Sequence, residues 1–286
     1  MVPDRSRRQF LKAAGDTSLF ILSGGLSLLQ SRPACADQPT QASAIARISD
    51  VASTSVIATY KWANRGKAPA GYINGMAVSY AKVYYDLAAG NDYAVEMAKA
   101  VSDDASKDAL KHYEEIFQQA KMDNTKDGPD TLRHLFVLML GLGMRESSGK
   151  HCEGRDRSAH NTTAETAEAG LFQTSFNARR ASPLLPTLFK SFMAKPTPSY
   201  KDIFAQGVRC SDGNLENFGE GDGRDFQKLS KDCPFFALQF AAIGLRNIRK
   251  HWGPINRRDA EVKSDADILF KQVQDLVDRE KLGPLL

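Results

Sequence analysis

A single glutamate stands where the sequence would allow a carboxylic acid to donate a proton. Glu146 follows a strongly apolar run, residues 132–144, which is apolar on nearly all faces and predicts a buried helix. Burial disfavours the charged form of a carboxyl group, and so does the partial negative charge at the C-terminal end of a helix. Both effects predict a pKa above the ordinary value, which suits general-acid chemistry near neutral pH. An ordinary surface glutamate at a helix end is the alternative.

The residues around Glu146 form a short motif, and a second motif follows it. Glu-Ser-Ser-Gly at 146–149 closes the apolar run, and Gly-Leu-Phe-Gln occupies 170–173. In this order and spacing the two motifs resemble those of lytic transglycosylases and goose-type lysozymes. The resemblance implies a lysozyme-like fold with Glu146 as the catalytic acid. It implies substrate-binding roles beside the acid and along the cleft for Ser147, Ser148, Gly170, Leu171 and Gln173.

The match covers about residues 135–180 and departs from the family pattern at two places. The Tyr-Asn-Ala step that the family carries in a later helix is missing, because residues 240–247 read Phe-Ala-Ala-Ile-Gly-Leu-Arg-Asn. Phe172 replaces the methionine that is usual in the second motif. The missing step bears on the transglycosylase subtype more than on the lysozyme-like fold.

A second resemblance supplies a candidate for a second catalytic carboxylate. The pattern Gly-x-x-Gln-x-Ser-x-Asn at 170–177 resembles a stretch in the cleft of plant-type, inverting chitinases. Those enzymes pair their acid with a glutamate further along the chain, and Glu168 stands at the same distance, 22 residues after Glu146. The resemblance therefore implies that Glu168 is the base that activates water. Gln173 and Ser175 would hold the amide and hydroxyl groups of the sugar.

Two other carboxylates compete with Glu168 for the role of base. Asp156 lies in a polar loop, and Glu165 is explained by a capping box that would start a helix at 162–165. Glu168 itself could be a solvent-facing helix residue. A lytic transglycosylase needs no such base, since the substrate's own hydroxyl completes the reaction.

Metal-binding spacings are weak, so we expect neither a metal nor an organic cofactor. His151, Cys152 and His160 lie close in sequence but lack the paired spacing of a zinc site. Residues 212–216 alternate like calcium ligands, yet Asn217 stands where the turn glycine belongs. A solvated loop is the better interpretation of that segment.

Several helices are expected to position these residues. Apolar residues at helical spacing predict helices over 72–87, 103–120, 235–248 and 258–280. Gly141 and Gly143 interrupt the central apolar helix, which indicates that another backbone packs very close to it. Aromatic residues near the second buried helix either belong to the core, which is the commoner case, or line a sugar cleft. They are Phe235, Phe236, Phe240 and Trp252.

The fold class is therefore mainly α, a lysozyme-like globular domain built around a buried central helix. Residues 37–125 would form a helical part that packs on the core, and 126–286 would form the catalytic domain. Residues 208–233, rich in Gly, Asp and Asn, predict a long surface loop. Cys152, Cys210 and Cys233 allow one disulfide and leave one thiol. A Cys210–Cys233 bond would close the loop, whereas a bond from Cys152 would tie it to the central motif.

The first 36 residues fit a twin-arginine signal peptide. Ser-Arg-Arg-Gln-Phe-Leu-Lys at 6–12 is followed by a short apolar stretch and by Ala-Cys-Ala at 34–36. The twin-arginine translocase would then be a partner during export to the periplasm or the medium. Removal of the signal leaves 33 Lys and Arg against 32 Asp and Glu, a near-neutral balance that gives no reason to expect nucleic acid. We expect no stable membrane anchor after cleavage.

Together these features predict a glycosidase that cleaves β-1,4 bonds of a polysaccharide containing N-acetylglucosamine, foremost peptidoglycan. Glu146 would protonate the glycosidic oxygen. One alternative is an inverting chitinase or chitosanase that uses Glu146 and Glu168. Another is a non-catalytic, exported helical module that binds glycan.

Overall fold

Helices form most of the protein in the computed structural model, which describes residues 40–157 and 162–286. With 62% of the described residues in helices and 2% in strands, the prediction of a mainly α fold class is confirmed. The predicted signal peptide, residues 1–36, lies outside the described residues, and so does His160.

Thirteen α-helices and one short hairpin occur within these ranges. The helices, in chain order, are α1 (Gln41–Thr54), α2 (Ala70–Ala88), α3 (Asp92–Ala98), α4 (Ala109–His112), α5 (Glu114–Gln119), α6 (Pro129–Ser147), α7 (Leu184–Ala194), α8 (Lys201–Phe204), α9 (Asp212–Leu215), α10 (Gly221–Asp232), α11 (Pro234–Asn247), α12 (Gly253–Asn256) and α13 (Ser264–Glu280). The antiparallel strands are β1 (Lys61–Trp62) and β2 (Gly66–Lys67). Turns of 3₁₀ helix cover Val56–Thr59, Phe176–Ala181, Arg249–His251 and Gly283–Leu285.

Helix α6 is buried over almost its whole length, as its apolar run predicts. Pro129 occupies the first helical position, where the missing N–H of proline is not needed. At the other end Ser148 adopts a left-handed backbone conformation, and its N–H donates to the carbonyl of Met144 at 3.1 Å. This arrangement ends the helix directly after Ser147. Glu146 therefore lies in the last turn of a buried helix.

Helix α2 confirms the helix predicted over residues 72–87 and lies very close to α6. The buried hydroxyl of Tyr72 donates to the carbonyl of Leu140 at 2.9 Å. A Cβ at Gly143 would lie only 2.2 Å from that hydroxyl. Gly143 therefore allows a tyrosine ring to pack against the helix that carries Glu146.

Gly141 faces the segment that precedes α13. A Cβ at Gly141 would lie 2.3 Å from the backbone oxygen of Glu261, so the close backbone approach predicted for this glycine is confirmed. The final helix begins at Ser264 rather than at residue 258, where we predicted its start. Arg258 has a left-handed backbone (φ 56°), which a continuous helix does not allow.

The single amphipathic helix predicted over residues 103–120 is wrong. Two short helices, α4 and α5, occupy its second half. The carboxylate of Asp104 accepts from the N–H of Ser106 at 2.8 Å, and that of Asp108 accepts from the N–H of Leu110 at 3.0 Å. These side chains satisfy backbone donors locally, which favours turns and helix starts over a continuous helix.

The long loop predicted over residues 208–233 is also wrong, because α9 and α10 lie within it. Phe226 and Leu229 are buried on one face of α10, at the i, i+3 spacing of a helix. Most of the Gly and Asp residues that suggested a loop lie at and before the start of α10, and its buried face holds only a few apolar residues.

The helix start predicted at residues 162–165 is a turn in the structure. The hydroxyls of Thr163 and Thr166 lie 2.9 Å apart and bond to each other, so the pair closes the turn itself. Glu165 pairs instead with the guanidinium of Arg179 at 2.9 Å. Glu168 lies in the non-helical segment that follows, so its interpretation as a helix residue is wrong as well.

One disulfide joins Cys152 to Cys210 and leaves Cys233 as a buried free thiol. Of the alternatives that the sequence leaves open, the bond from Cys152 is the one formed. It ties the segment before α9 to the loop that follows α6. The two glutamates of interest lie on either side of that tied loop.

Residues on both sides of position 125 share one hydrophobic core. The described residues form one compact unit, and α2 packs against both α6 and α13. The two predicted parts of the chain therefore fold around the same centre. Among the described helices, none combines the length and apolar character needed to cross a bilayer.

Candidate active site

Glu146 is half-buried in the last turn of α6, and its pKa lies well above that of an ordinary glutamate. Burial raises the pKa of the carboxyl group to about 8, and the negative charge of Glu168 acts in the same direction. The positive charges of Arg257, Arg65 and Arg145 oppose this rise only in part. The pKa increase predicted from burial is confirmed. A group with this pKa holds its proton at neutral pH in most molecules, as a general acid must.

Glu168 belongs to the same site as Glu146, since its charge contributes to the pKa of that group. It is half-buried, directly before an isolated bridge between Ala169 and Thr174. The resemblance to inverting chitinases implies such a pair. The structure places the two carboxyl groups within electrostatic reach of each other, while the role of Glu168 as base stays a prediction.

A tight loop over residues 169–175, here called the motif loop, carries the second motif. The N–H of Gly170 donates to the carbonyl of Glu153 at 2.8 Å, which fastens this loop to the one that follows α6. Gly170 has φ +77°, and a Cβ there would lie 2.9 Å from the backbone oxygen of Ser230. Both the backbone conformation and the close contact favour glycine at this position.

Gln173 is buried and turned toward its own loop. Its amide nitrogen donates to the carbonyls of Gly170 at 3.2 Å and Glu153 at 3.4 Å. No hydrogen bond joins it to Glu146 among the described residues. Leu171 is fully buried in the core. Gln173 thus stiffens the motif loop, and its contact with a sugar stays a prediction.

The three serines of the two motifs lie in different surroundings. Ser147 is buried and donates its hydroxyl to the carbonyl of Gly143 at 3.0 Å. Ser175 is buried too, with its hydroxyl 2.7 Å from the Asn177 side-chain oxygen. To contact a sugar, each of these two hydroxyls would have to exchange its present hydrogen bond for one to the sugar. Ser148 is half-buried at the helix end and remains nearer to the surface.

Arginines around Glu146 are the site residues that the sequence analysis missed. Arg65, in the turn of the β1–β2 hairpin, donates to the carbonyl of Arg145 and to the hydroxyl of Ser148, the latter at 3.4 Å. Arg257 and Arg145 share Asp259, at 2.8 and 3.6 Å. The available signal was the basic segment at 61–67, which carries three cations in seven residues.

The competing carboxylates lie in less suitable surroundings. Glu165 is held by Arg179 and Arg180, and the hydrogen bond from Arg179 lowers its pKa. A base that is paired in this way has less tendency to take up a proton from water. Asp156 is exposed in the loop after α6.

Among the described residues considered for metals, Cys152 is bonded to Cys210, and a lysine lies at the calcium-like segment. His151, Cys152 and Cys210 have ligand atoms within 4.8 Å of one another, but the two sulfurs form the disulfide and are not thiolates. At the calcium-like segment, the ammonium of Lys231 donates to the carbonyls of Asn214 at 3.1 Å and Glu216 at 2.5 Å. A protein cation thus occupies that position.

The aromatic residues considered for a sugar cleft belong to the core. Phe235, Phe236, Phe240 and Trp252 are at most 1% exposed, so no ring is available for stacking on a pyranose. Trp252 nevertheless supports the site, since its indole N–H donates to the carbonyl of Phe172 at 2.8 Å. This bond anchors the motif loop to the core.

The arrangement combines a protonated carboxylic acid, a second carboxylate near it and a stiff loop beside them. Such a set can donate a proton to a leaving oxygen while a neighbouring carboxylate stabilises positive charge or activates water. Comparison of the chain with protein-family models, curated proteins and solved structures found no significant match.

Proposed function

We propose that the chain is a glycosidase of the lysozyme or lytic transglycosylase type, with Glu146 as general acid. Its substrate would be a β-1,4-linked polysaccharide that contains N-acetylglucosamine, foremost peptidoglycan. The observation that carries the proposal is the position of Glu146 at the end of buried helix α6, where burial raises its pKa to about 8.

The proposed chemistry is proton transfer to the glycosidic oxygen as the bond to the anomeric carbon breaks. The sugar passes through an oxocarbenium-like transition state, and the leaving group departs as an alcohol. Glu146 suits this step because it keeps its proton at neutral pH until a better acceptor arrives. The negative charge of Glu168 would stabilise the positive charge that develops on the sugar ring.

A second candidate, an inverting hydrolase, is favoured by the electrostatic interaction between the two glutamates. Glu168 would then remove a proton from the attacking water, and Glu146 would protonate the leaving oxygen. The products separate the two candidates. A lytic transglycosylase leaves an anhydro-muramyl end, whereas a hydrolase leaves a reducing sugar.

The test compares Glu146→Gln with the wild-type chain in the release of soluble fragments from purified sacculi. Glutamine keeps the shape of the side chain but has no acidic proton to transfer, so we expect at least a 100-fold lower rate, the order of magnitude of general-acid catalysis, about 10²–10⁴. Mass spectrometry of the fragments identifies their ends.

Glu165→Gln is the matched control, because it makes the same change at a carboxylate that is paired with arginines. It should retain the wild-type rate. Release by Glu146→Gln at the wild-type rate would show that the proposed mechanism is wrong.

The export predicted from the twin-arginine motif would bring the protein to its proposed substrate. The twin-arginine motif at residues 6–12 would direct the folded chain out of the cytoplasm, to the compartment that contains peptidoglycan. An exported chain also has an oxidising environment for the Cys152–Cys210 bond.

A further inference from the structure

The β1–β2 hairpin concentrates positive charge without neutralising it. Lys61 and Lys67 face each other directly across the two strands, and Arg65 lies in the turn between them. All three are exposed, and within residues 40–157 and 162–286 none has a carboxylate oxygen within 4.0 Å. Like charges directly opposite each other destabilise a strand pair. The hairpin thus has an unfavourable arrangement that an anion would relieve.

Other contacts hold this hairpin rigidly beside Glu146. Arg65 reaches the end of α6, as described above, and Arg145 returns a hydrogen bond to the carbonyl of Ala63 at 3.2 Å. On the other side, Glu261 accepts from the N–H of Ala63 at 2.8 Å. The hairpin is therefore fixed at the same helix end that carries the acid.

The adjoining arginines add to the charge. Arg145 and Arg257 share the single carboxylate of Asp259, so this part of the surface also has more cations than anions. The surface formed by Lys61, Arg65, Lys67, Arg145 and Arg257 is here called the basic shelf. Asp259 pairs with two of its five cations, and the nearby Glu261 pairs with Lys263, which lies outside the shelf.

We propose that the basic shelf binds carboxylate groups of the glycan and thereby selects an acidic polysaccharide over neutral or cationic ones. This inference rests on the proposed function, and it narrows the substrate class of the same site. Peptidoglycan carries carboxylates on its peptide stems, chitin is uncharged, and chitosan carries ammonium groups that the shelf would repel. The attraction is electrostatic and depends on exposed side chains, so it weakens as salt is added.

The test measures binding rather than cleavage. The full chain with Glu146→Gln is sedimented with sacculi, either untreated or with their carboxyl groups amidated, at low and high salt. In that background Lys61→Gln with Lys67→Gln should bind untreated sacculi about 3- to 10-fold more weakly at low salt, as the loss of two exposed ionic contacts implies. Binding to amidated sacculi should not change.

Lys190→Gln with Lys195→Gln is the matched control, because it removes the same charge from exposed positions at and just after α7. It should bind like the parent. Equal binding of the Lys61/Lys67 variant and its parent to untreated sacculi would overturn the proposal. So would an equal loss on amidated sacculi, or retention by vesicles of anionic lipid as strong as by sacculi.

Failure of this inference differs visibly from failure of the proposed function. Cleavage by Glu146→Gln at the wild-type rate refutes the role of Glu146 as general acid, and it does not affect the interpretation of the binding measurements. If binding does not depend on the shelf lysines or on the carboxylates of the sacculi, carboxylate binding by the basic shelf is refuted. This holds even if Glu146→Gln abolishes cleavage. Salt dependence of binding by the chain that keeps both lysines gives a second measurement, should the lysine variant fold poorly.

Discussion

At the scale of single residues, Glu146 shows how surroundings change the chemistry of a common side chain. Its carboxyl group is partly removed from water, and Glu168 adds a like charge that makes ionisation less favourable still. Three arginines oppose this rise in pKa and limit it to about 8. The group is thus both a usable acid and a site of stored electrostatic free energy.

The ionisation of Glu146 predicts a pH dependence of stability. Its pKa is about 8 in the folded protein and 4.5 in an ordinary glutamate, so the folded state keeps a proton that the unfolded state loses between these values. This stabilising contribution is fully present below about pH 4.5 and is lost as the pH rises through about 8. Glu146→Gln stays neutral, so its melting temperature should rise relative to wild type as the pH increases.

Thermal unfolding of both proteins at several pH values, from about 5 to about 9, measures that difference in melting temperature. This range is chosen because the stabilising contribution is lost within it. Glu165→Gln again serves as control, because the pKa of Glu165 is lowered rather than raised. A difference between Glu146→Gln and wild type that does not vary with pH would contradict the elevated pKa.

At the scale of elements, the contact between α2 and α6 determines how the acid is presented. Tyr72 packs where Gly143 has no side chain, and its hydroxyl bonds to the α6 backbone about two turns before the helix end. Gly149 also lies against the Tyr72 ring, because a Cβ there would lie 2.8 Å from it. One tyrosine therefore contacts the chain on both sides of Glu146.

Gly143→Ala should separate these two helices and destabilise the protein. In an exposed helix the change would stabilise by up to about 1 kcal/mol, but here the new Cβ would lie 2.2 Å from the Tyr72 hydroxyl. Overpacking of this kind costs about 1–3 kcal/mol. Chemical denaturation of both proteins measures the free energy of unfolding.

Gly213→Ala is the control for that experiment, since the nearest atom would lie 3.9 Å from the added Cβ. Its effect should be near zero or slightly stabilising. Tyr72→Phe removes the closest clashing atom, so the double variant should lose less stability than the two single changes added together. Strict additivity would show that the hydroxyl does not limit the approach of the helices.

At the scale of the whole molecule, the Cys152–Cys210 bond links segments 58 residues apart and supports the loop to which the motif loop is bonded. Glu153, next to Cys152, accepts the N–H of Gly170 through its backbone carbonyl. Asn214, near Cys210, donates to the Glu153 carboxylate at 3.3 Å. The bond therefore connects the α9 region, the loop after α6 and the second motif.

Replacement of both cysteines, Cys152→Ser with Cys210→Ser, should lower the free energy of unfolding by about 4 kcal/mol, as chain entropy predicts for a closed loop of this length. Urea titration measures the change. Reductant provides the control, since it should weaken the wild-type chain to the level of the double variant and leave the double variant unchanged. Equal stability of the oxidised and reduced wild-type chains would contradict this role.

The sequence by itself determined the features that depend on local pattern. A long apolar run gave the buried helix α6, an amphipathic repeat gave most of α13, and burial at a helix end gave the direction of the Glu146 pKa. These follow from periodicity and solvation, which neighbouring residues suffice to specify.

Only the tertiary structure decided which distant residues meet. The choice of Cys210 as the partner of Cys152 and the presence of Arg65 beside Glu146 depend on contacts between separate segments. Short polar stretches such as α9 and the turn at Thr163 carry weak local signals, so packing and side-chain hydrogen bonds set their conformation. Local preference amounts to a few tenths of a kcal/mol per residue, or about 0.7 at most for ordinary residues, and tertiary contacts routinely exceed it.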